Sequence, residues 1–301
     1  MVNKKHFFKT IAIYSSVKSK KVQQIAAHIE EVIQNLDLKI LIPESSSTSE
    51  FSSGKAYSDQ FIVKNADLII AIGGDGTLLS SARKYGSRNV PVVGVNLGNV
   101  GFLTDIAPEE LTSILKEVLK GKFVSEERIF LQASLNNSTK TDLALNEIVV
   151  HSRQVAQLIE YELYINDSFV FRQRADGIIV STPTGSTAYS LSGNGPLIHP
   201  EVGAISLLPM FAHSLNTRPL ILKEDSKITI KICKKGASSV SFDSHKVFRL
   251  KTGDIVDISI SKAKLTLIHP LNHDFYSACR TKLGWSLGIQ RNIDRNKSTK
   301  I

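Results

Sequence analysis

At 301 residues the chain has room for one large domain or two of ordinary size, and two is the better expectation. Hydrophobic residues at 42% and charged residues at 22% are ordinary for a globular protein that buries a sizeable core. The net charge of +9 is spread out, with small excesses at Lys4, Lys5, Lys9, Lys18, Lys20 and Lys21 and at Arg291, Arg295, Lys297 and Lys300, and no run of aromatic and basic residues makes a nucleic-acid platform.

The two cysteines, Cys233 and Cys279, have no CxxC spacing. That predicts no disulfide framework and no zinc site, and it fits a reducing compartment. The apolar run Ile11 to Tyr14 is too short for a signal-peptide core or a membrane span. The expectation is a cytoplasmic protein with no membrane and no nucleic-acid partner.

In chain order, Lys9 to Ser15 predicts a strand. Val22 to Leu36 carries apolar residues at helical spacing (Val22, Ile25, Ala26, Ile29, Val32, Ile33, Leu36). Leu38 to Ile42 predicts a second strand, ended by Pro43, and the Ser/Thr-rich stretch from Glu44 to Lys55 predicts a loop. Leu68 to Ile72, Leu78 to Tyr85 and Val90 to Val95 then give strand, helix and strand. Pro108 to Leu119 gives a further helix. Strands alternating with helices imply a parallel sheet with helices on its faces.

After Phe123 the pattern becomes short alternating β segments: Ile129 to Leu135, Leu143 to His151, Glu160 to Ile165, Ser168 to Arg172, Leu220 to Leu222, Lys227 to Cys233, Ser239 to Asp243, Val247 to Leu250, Asp254 to Ser261 and Leu265 to His269. Asn166-Asp167, Gly236 and Gly253 read as turns between them. A helical stretch follows around Ala278 to Leu287, then a polar tail. The expected fold is an N-terminal Rossmann-like α/β domain and a β-rich C-terminal domain, with the chain end packing back on the first. The expected boundaries are 1–124 and 276–301 for the α/β domain and 125–275 for the β-rich one.

The α/β half centres on Ile70-Ala71-Ile72-Gly73-Gly74-Asp75-Gly76-Thr77-Leu78-Leu79. A buried strand stops at two glycines, and a helix opens at Thr77. Gly73, Gly74 and Thr77 form a turn whose backbone N–H groups can approach phosphate closely. A carboxylate beside a phosphate would repel it. Asp75 therefore reads as a base for a hydroxyl, or as a partner for a phosphate-bound Mg²⁺, and the turn reads as a phosphoryl-transfer site. The next strand ends in a second glycine-rich loop, Gly94 to Thr104, with Gly98 and Gly101. In a parallel sheet the two loops lie on one edge, where ligands bind.

In the β-rich half the strongest signal is Ala175-Asp176-Gly177 leading through Ile178 to Val180 into Ser181-Thr182-Pro183-Thr184-Gly185-Ser186-Thr187-Ala188-Tyr189-Ser190-Leu191-Ser192. Pro183 and Gly185 force a turn. Ser186 or Thr187 is placed to cap a helix, Ala188 lets a flat ring approach the backbone, and Tyr189 is placed to border an adenine. Arg172 and Arg174 lie just upstream, and Asp176 is a second candidate acid. Asn146 and Glu147 put an amide and a carboxylate inside an apolar strand, where polar groups need partners. His213 reads as structural. His269 and His273 are four apart, but Pro270 argues against a helical metal pair.

Taken together, the segments GGDGT, GVNLGNVGFLTD, LALNEIVV, RADGIIVSTPTGSTAYSLSGNGP, MFAHSLNTRPL and TKLGW, in this order, resemble the bacterial NAD kinase family over about residues 10–286. GGDGT is shared with other kinases, whereas TPTGSTAYS is far more specific. The resemblance implies phosphorylation of the adenosine-ribose 2′-hydroxyl of NAD by ATP with a divalent cation, Mg²⁺, giving NADP and ADP. It implies Asp75 as the base and Gly76 beside the dinucleotide. It also implies dinucleotide contacts from Asn146, Glu147, Asp176, Thr187, Ala188, Tyr189, Ser190, Leu191 and Ser192, a further binding position at Arg174, and His245 near the ligand. No side chain is implied as a direct metal ligand. A homodimer or homotetramer is implied. Where relatives often carry a polar residue and Asp-Gly, this chain has Leu97 and Asp243-Ser244.

Three rivals remain open on sequence: a lipid kinase with the same turn, a dinucleotide-binding regulator, and an oxidoreductase. The last lacks a GxGxxG turn after the first strand, where Tyr14-Ser15-Ser16-Val17-Lys18 stands.

Overall fold

The structure is a computed structural model, and it describes residues 6–46, 55–99, 101–154, 157–214, 216–234 and 237–285. Most of the Ser/Thr-rich loop, the polar tail, Val100, Leu215, Gly236 and the last two residues of the helix expected over 278–287 lie outside the described residues. The chain divides into two compact units, one drawn from 1–81, 90–126 and 267–301, the other from 82–89 and 127–266.

The first unit opens with β1 (Thr10–Tyr14), α1 (Lys20–Gln34), β2 (Lys39–Pro43), the short β3 (Ala56–Tyr57) and α2 (Asp59–Asn65). It continues with β4 (Leu68–Ile72), α3 (Asp75–Lys84), β5 (Val92–Val95) and α4 (Leu111–Leu119). The strands run parallel in the order β5-β4-β1-β2-β3. All five residues of β4 are buried, as its unbroken apolar run requires in a sheet covered on both faces. Helix α1 starts where the Ser19 side chain accepts the Val22 N–H, and it buries Val22, Ile25, Ala26, Ile29, Val32 and Ile33.

Two helices of this unit are among the departures from expectation. Helix α3 begins at Asp75 itself, not at Thr77, so the acid sits in the first helical turn. Helix α2, capped by Ser58, is an element that sequence patterning did not supply. Its seven residues hold one fully buried position, Ile62, too few to show a period.

The β elements that follow are β6 (Val124–Leu135), β7 (Thr141–Ala144), β8 (Glu147–Ser152), β9 (Ile159–Ile165), β10 (Ser168–Ala175) and β11 (Gly177–Ser181). Then come the one-turn helix α5 (Tyr189–Ser192), β12 (Ala204–Met210), β13 (Leu220–Lys223), β14 (Ile228–Ile232), β15 (Ser238–Phe242) and β16 (Lys246–Leu250). Strand β17 (Ile255–His269) is continuous where two strands were expected, and α6 (Phe275–Leu283) follows it. Strand β12 is a further element that the sequence reading did not supply; its Pro209 lies opposite Ile178 of β11.

The second unit holds two antiparallel groups of strands. One has the order β13-β12-β11-β8-β15-β16; the other contains β10, β9, β14 and most of β17, with β6 and β7 attached. Ile148 and Val150, Ile178 and Val180, Ile205 and Leu207, Val240 and Phe242 point into a core shared with Tyr161, Leu163, Ile228, Ile230, Val256 and Ile258. Alternation along a strand then sends Glu147, Val149, His151, Ile179, Leu208, Met210 and Ser241 to the opposite face. The end of β17 belongs to the first unit: Leu267 and Ile268 pair in parallel with Val92 and Val93 of β5, and α6 follows in the same unit.

Candidate active site

The glycine turn after β4 is shaped from within the first unit. The Gly73 N–H donates to the Val95 carbonyl at 2.9 Å, tying the ends of β4 and β5 together. Gly73 has φ 154°, and a Cβ there would stand 2.7 Å from Thr77 Cβ, so only glycine fits. Thr77 is buried, and its hydroxyl is hydrogen-bonded to Ser16 at 2.8 Å.

Gly74 and Gly76 are different. A Cβ at either would meet nothing within 4 Å, and neither has a positive φ. Packing and backbone conformation do not account for them. The space beside both is open, so a ligand has room to come close to the backbone there.

The second glycine loop holds Asp75 directly. The Phe102 N–H donates to Asp75 Oδ2 at 3.0 Å, the Leu103 N–H donates to Oδ1 at 3.1 Å, and the Thr104 hydroxyl reaches Oδ1 at 3.4 Å. A Cβ on Gly101 would fall on Asp75 Oδ1, so this glycine is needed for the carboxylate to sit where it does. Asn96, fully buried and not singled out from sequence, fixes the loop by accepting the Gly98 N–H at 2.7 Å and donating to the Thr104 carbonyl at 3.3 Å. The two loops expected to lie on one edge are thus joined through Asp75.

In the second unit the Asn146–Glu147 pair sits where β7 ends and β8 begins, and its backbone is organised by Asp243. That carboxylate accepts the N–H groups of Leu145 at 2.9 Å, Asn146 at 2.9 Å and Glu147 at 3.1 Å, and Arg83 Nη1 donates to it at 3.0 Å. The Asp243 side chain has 0% exposure. Asp243 and Ser244 both have positive φ, 42° and 57°, in a turn where glycine would be less strained.

The Thr-Pro-Thr-Gly-Ser-Thr turn packs on the same backbone. The Thr182 N–H donates to the Asn146 carbonyl at 2.9 Å, and the Thr182 hydroxyl donates to the Leu145 carbonyl at 2.6 Å. A Cβ on Gly185 would collide with the Asn146 carbonyl. Ser186 and Thr187 do not cap α5. Their hydroxyls donate back to the Pro183 and Thr184 carbonyls, closing the turn on itself. Arg128, buried and also missed from sequence, donates to the Thr184 hydroxyl at 3.3 Å.

A pocket of about 500 Å³ opens on the face of β8, β11, β12 and β15 that points away from the core. Asp176 and Tyr189 line it together with Val149, His151, Met210 and Ser241. Asn146 Oδ1, Glu147 Oε2 and Ser190 Oγ are buried without a hydrogen-bond partner. Unpaired buried polar atoms are costly and call for a partner, though none of these three residues is among those lining the pocket. Burial, then the nearby charge of Asp243, pushes the Glu147 carboxyl up to about 8, while the Tyr189 backbone N–H pulls the other way.

Ala188 and Leu191 are half-buried and Ser192 is exposed on the same short segment. Arg174 is exposed on β10 and does not line the pocket. His245 does not line it either. Its Nδ1–H donates to the Phe242 carbonyl, and burial together with the charge of Arg83 lowers its pKa.

Residues 11–123 match the model of the ATP-NAD kinase N-terminal domain, and residues 145–270 match that of the ATP-NAD kinase C-terminal domain. The chain belongs to the ATP-NAD kinase family. The NAD kinase of Teredinibacter turnerae is 39% identical over 285 residues, covering 93% of this chain and 97% of that protein. The NAD kinase of Chromohalobacter salexigens is 40% identical over the same shares. Among solved structures, yeast NADH kinase complexed with NADH matches with a TM-score of 0.84 at 26% identity, over 92% of this chain and 88% of that one. The Archaeoglobus fulgidus NAD kinase in complex with ATP matches with a TM-score of 0.72 at 27% identity, over 90% and 99%. Within the ATP-NAD kinase family the Asp75 turn falls in the N-terminal match, and Asn146, Glu147, Asp176, Tyr189 and His245 fall in the C-terminal one.

Proposed function

We propose that this chain is an ATP-dependent NAD kinase, transferring the γ-phosphoryl group of ATP to the 2′-hydroxyl of the adenosine ribose of NAD and releasing NADP and ADP. The observation that carries the residue assignment is Asp75, an acid fixed by Phe102, Leu103 and Thr104 between two glycines that nothing in the protein explains.

The ribose hydroxyl loses its proton to Asp75 as its oxygen bonds to the γ-phosphorus, and the bond from phosphorus to the ADP oxygen breaks. Positioning and charge stabilisation do most of the work in such a transfer, and a late proton transfer suits a weak base. The three donors on Asp75 fix the direction of its remaining lone pairs. Of the expected phosphate loop, the Gly73 N–H is taken by the Val95 carbonyl and the Thr77 N–H by the Gly74 carbonyl, so the backbone N–H groups offered to phosphate at the start of α3 are those of Gly74 and Gly76.

Asn146, Glu147, Asp176 and the Thr187 to Ser192 segment bind the dinucleotide, with Tyr189 against the base. Gly76 lies beside it, and Arg174 and His245 supply outer contacts. A divalent cation, Mg²⁺, belongs to the same reading. Asp75 already accepts from three donors, and the other residues of the turn bring no carboxylate, so the cation fits as a passenger on the ATP phosphates. When bound it neutralises phosphate charge.

The proposed functional division assigns 1–124 and 276–301 to the α/β domain and 125–275 to dinucleotide binding. A homodimer or homotetramer and a cytoplasmic location complete the reading; among the described residues no helix is long and apolar enough to cross a membrane. The test is purified protein with NAD, ATP and Mg²⁺, scored for NADP with an NADP-specific dehydrogenase. Formation of ADP without NADP would overturn the assignment.

A further inference from the structure

A cluster on the first unit lies outside this machinery. His269, the last residue of β17, and His273, in the turn that follows, stack ring on ring with centroids 3.8 Å apart. Pro270 prevents a helical pair, as expected, yet the turn brings the rings together by another route. Both Nδ1 atoms point at the same oxygen, Asp105 Oδ2, each at 2.8 Å. His269 Nε2 faces Glu126 Oε2 at 3.2 Å.

Proton counting makes the arrangement informative. A neutral His269 that donates Nε2–H to Glu126 has a bare lone pair at Nδ1, aimed at a carboxylate oxygen. Something positive must lie between them: a second proton on a ring only 1% exposed, or a metal ion. A proton on His269, with a neutral His273 donating its Nδ1–H to the same oxygen, satisfies both rings but leaves Asp105 Oδ1 buried without a partner.

We propose that His269 Nδ1, His273 Nδ1 and the Asp105 carboxylate bind a zinc-class divalent cation, with Glu126 orienting His269 from behind. The three candidate ligand atoms lie within 4.8 Å of one another. Ligand atoms on one tetrahedral zinc stand roughly 3.4 Å apart, so small side-chain adjustments complete the geometry. A metal-bound imidazole that gives its other N–H to a carboxylate is the usual supporting arrangement, and Glu126 provides it. Two imidazoles and one carboxylate select zinc, cobalt or nickel over Mg²⁺, which separates this site from the cation that accompanies ATP. Asp105 and His273 also line a cleft of about 200 Å³, which gives an ion access. Burial raises the Asp105 pKa, but the two histidines outweigh it and hold the carboxyl below its ordinary range. Asp105 follows Leu103 and Thr104, two of the residues that hold Asp75, so a bound ion would brace that loop.

The test is metal binding on the full chain. Protein stripped with a chelator is incubated with Zn²⁺, desalted and assayed for zinc per chain, and Co²⁺ is used for its visible absorption. The site predicts one zinc ion per chain, a Tm that rises with Zn²⁺, and a tetrahedral Co²⁺ spectrum. His273→Ala, at a partly exposed position, should retain the fold and lose at least about tenfold in affinity, and Asp105→Asn should do the same. Zinc not retained by the wild type, or retained equally by both variants, overturns the site and leaves His269 as an imidazolium between two carboxylates. The zinc count needs no NAD phosphorylation, so the kinase assignment and the metal site fail independently.

Discussion

Arg83 Nη1 lies 3.0 Å from Asp243 Oδ2, and the same carboxylate holds the backbone of Leu145, Asn146 and Glu147. One buried anion thus fixes the segment proposed to hold the dinucleotide, and one arginine at the end of α3 balances its charge. Arg83→Met removes the cation and keeps most of the apolar stem. It should destabilise the protein by on the order of 2–4 kcal/mol, because Asp243 retains only backbone donors. It should also raise KM for NAD more than it lowers kcat. Urea titration and steady-state kinetics check both effects.

Gly101 predicts a sharper result. A Cβ at this position would occupy the place of Asp75 Oδ1. Gly101→Ala should therefore push the carboxylate off its donors and lower kcat by about 10²-fold or more, while NAD binding by calorimetry is largely kept. A variant with normal kcat would show that the Phe102–Leu103 clamp does not position the base.

Gly76→Ala separates ligand from packing. In the free protein a Cβ at 76 meets nothing and lies in α3, so stability should hold or rise by up to ~1 kcal/mol. Activity should fall, since the added methyl stands where the ligand approaches. Loss of stability with unchanged kinetics would reverse the argument.

Glu147 carries a pH signature. Its pKa in the folded protein is about 8, above the ordinary 4.5, so between those values the folded state binds a proton that the unfolded state lacks. Stability then falls as pH rises from about 5 to about 8. Glu147→Gln removes the titrating group, so its stability relative to wild type should improve steadily across that interval. Thermal melts at pH 5, 6.5 and 8 without ligand check the trend; a constant difference would contradict it.

Much of this was legible in the sequence. The run Leu68 to Ile72 ending in Gly73-Gly74-Asp75 gave strand, turn and acid directly, because a buried parallel strand shows as continuous apolar residues. The apolar residues of Leu143 to His151 and of Ile178 to Val180 gave strands, but the first is broken into β7 and β8 at Leu145 and Asn146, where the backbone turns to Asp243. The supporting groups were hidden for a different reason. Asp243 lies nearly a hundred positions from the backbone it organises, and no periodicity links it to Asn146 or Arg83. Asn96 and Arg128 act through loop geometry, which exists only after folding. Pro270 rules out a helical pairing of His269 and His273, and only the strand end and the turn that follows it bring both rings to Asp105.

The central claim is that Asp75 accepts the proton of the ribose hydroxyl. The most direct measurement is the rate of NADP formation from NAD, ATP and Mg²⁺ by wild type and Asp75→Asn, alongside their affinities for NAD. The account predicts NADP from the wild type, a loss of roughly 10²–10⁴-fold in kcat for the variant, and NAD affinity largely retained. Full turnover by Asp75→Asn would contradict it.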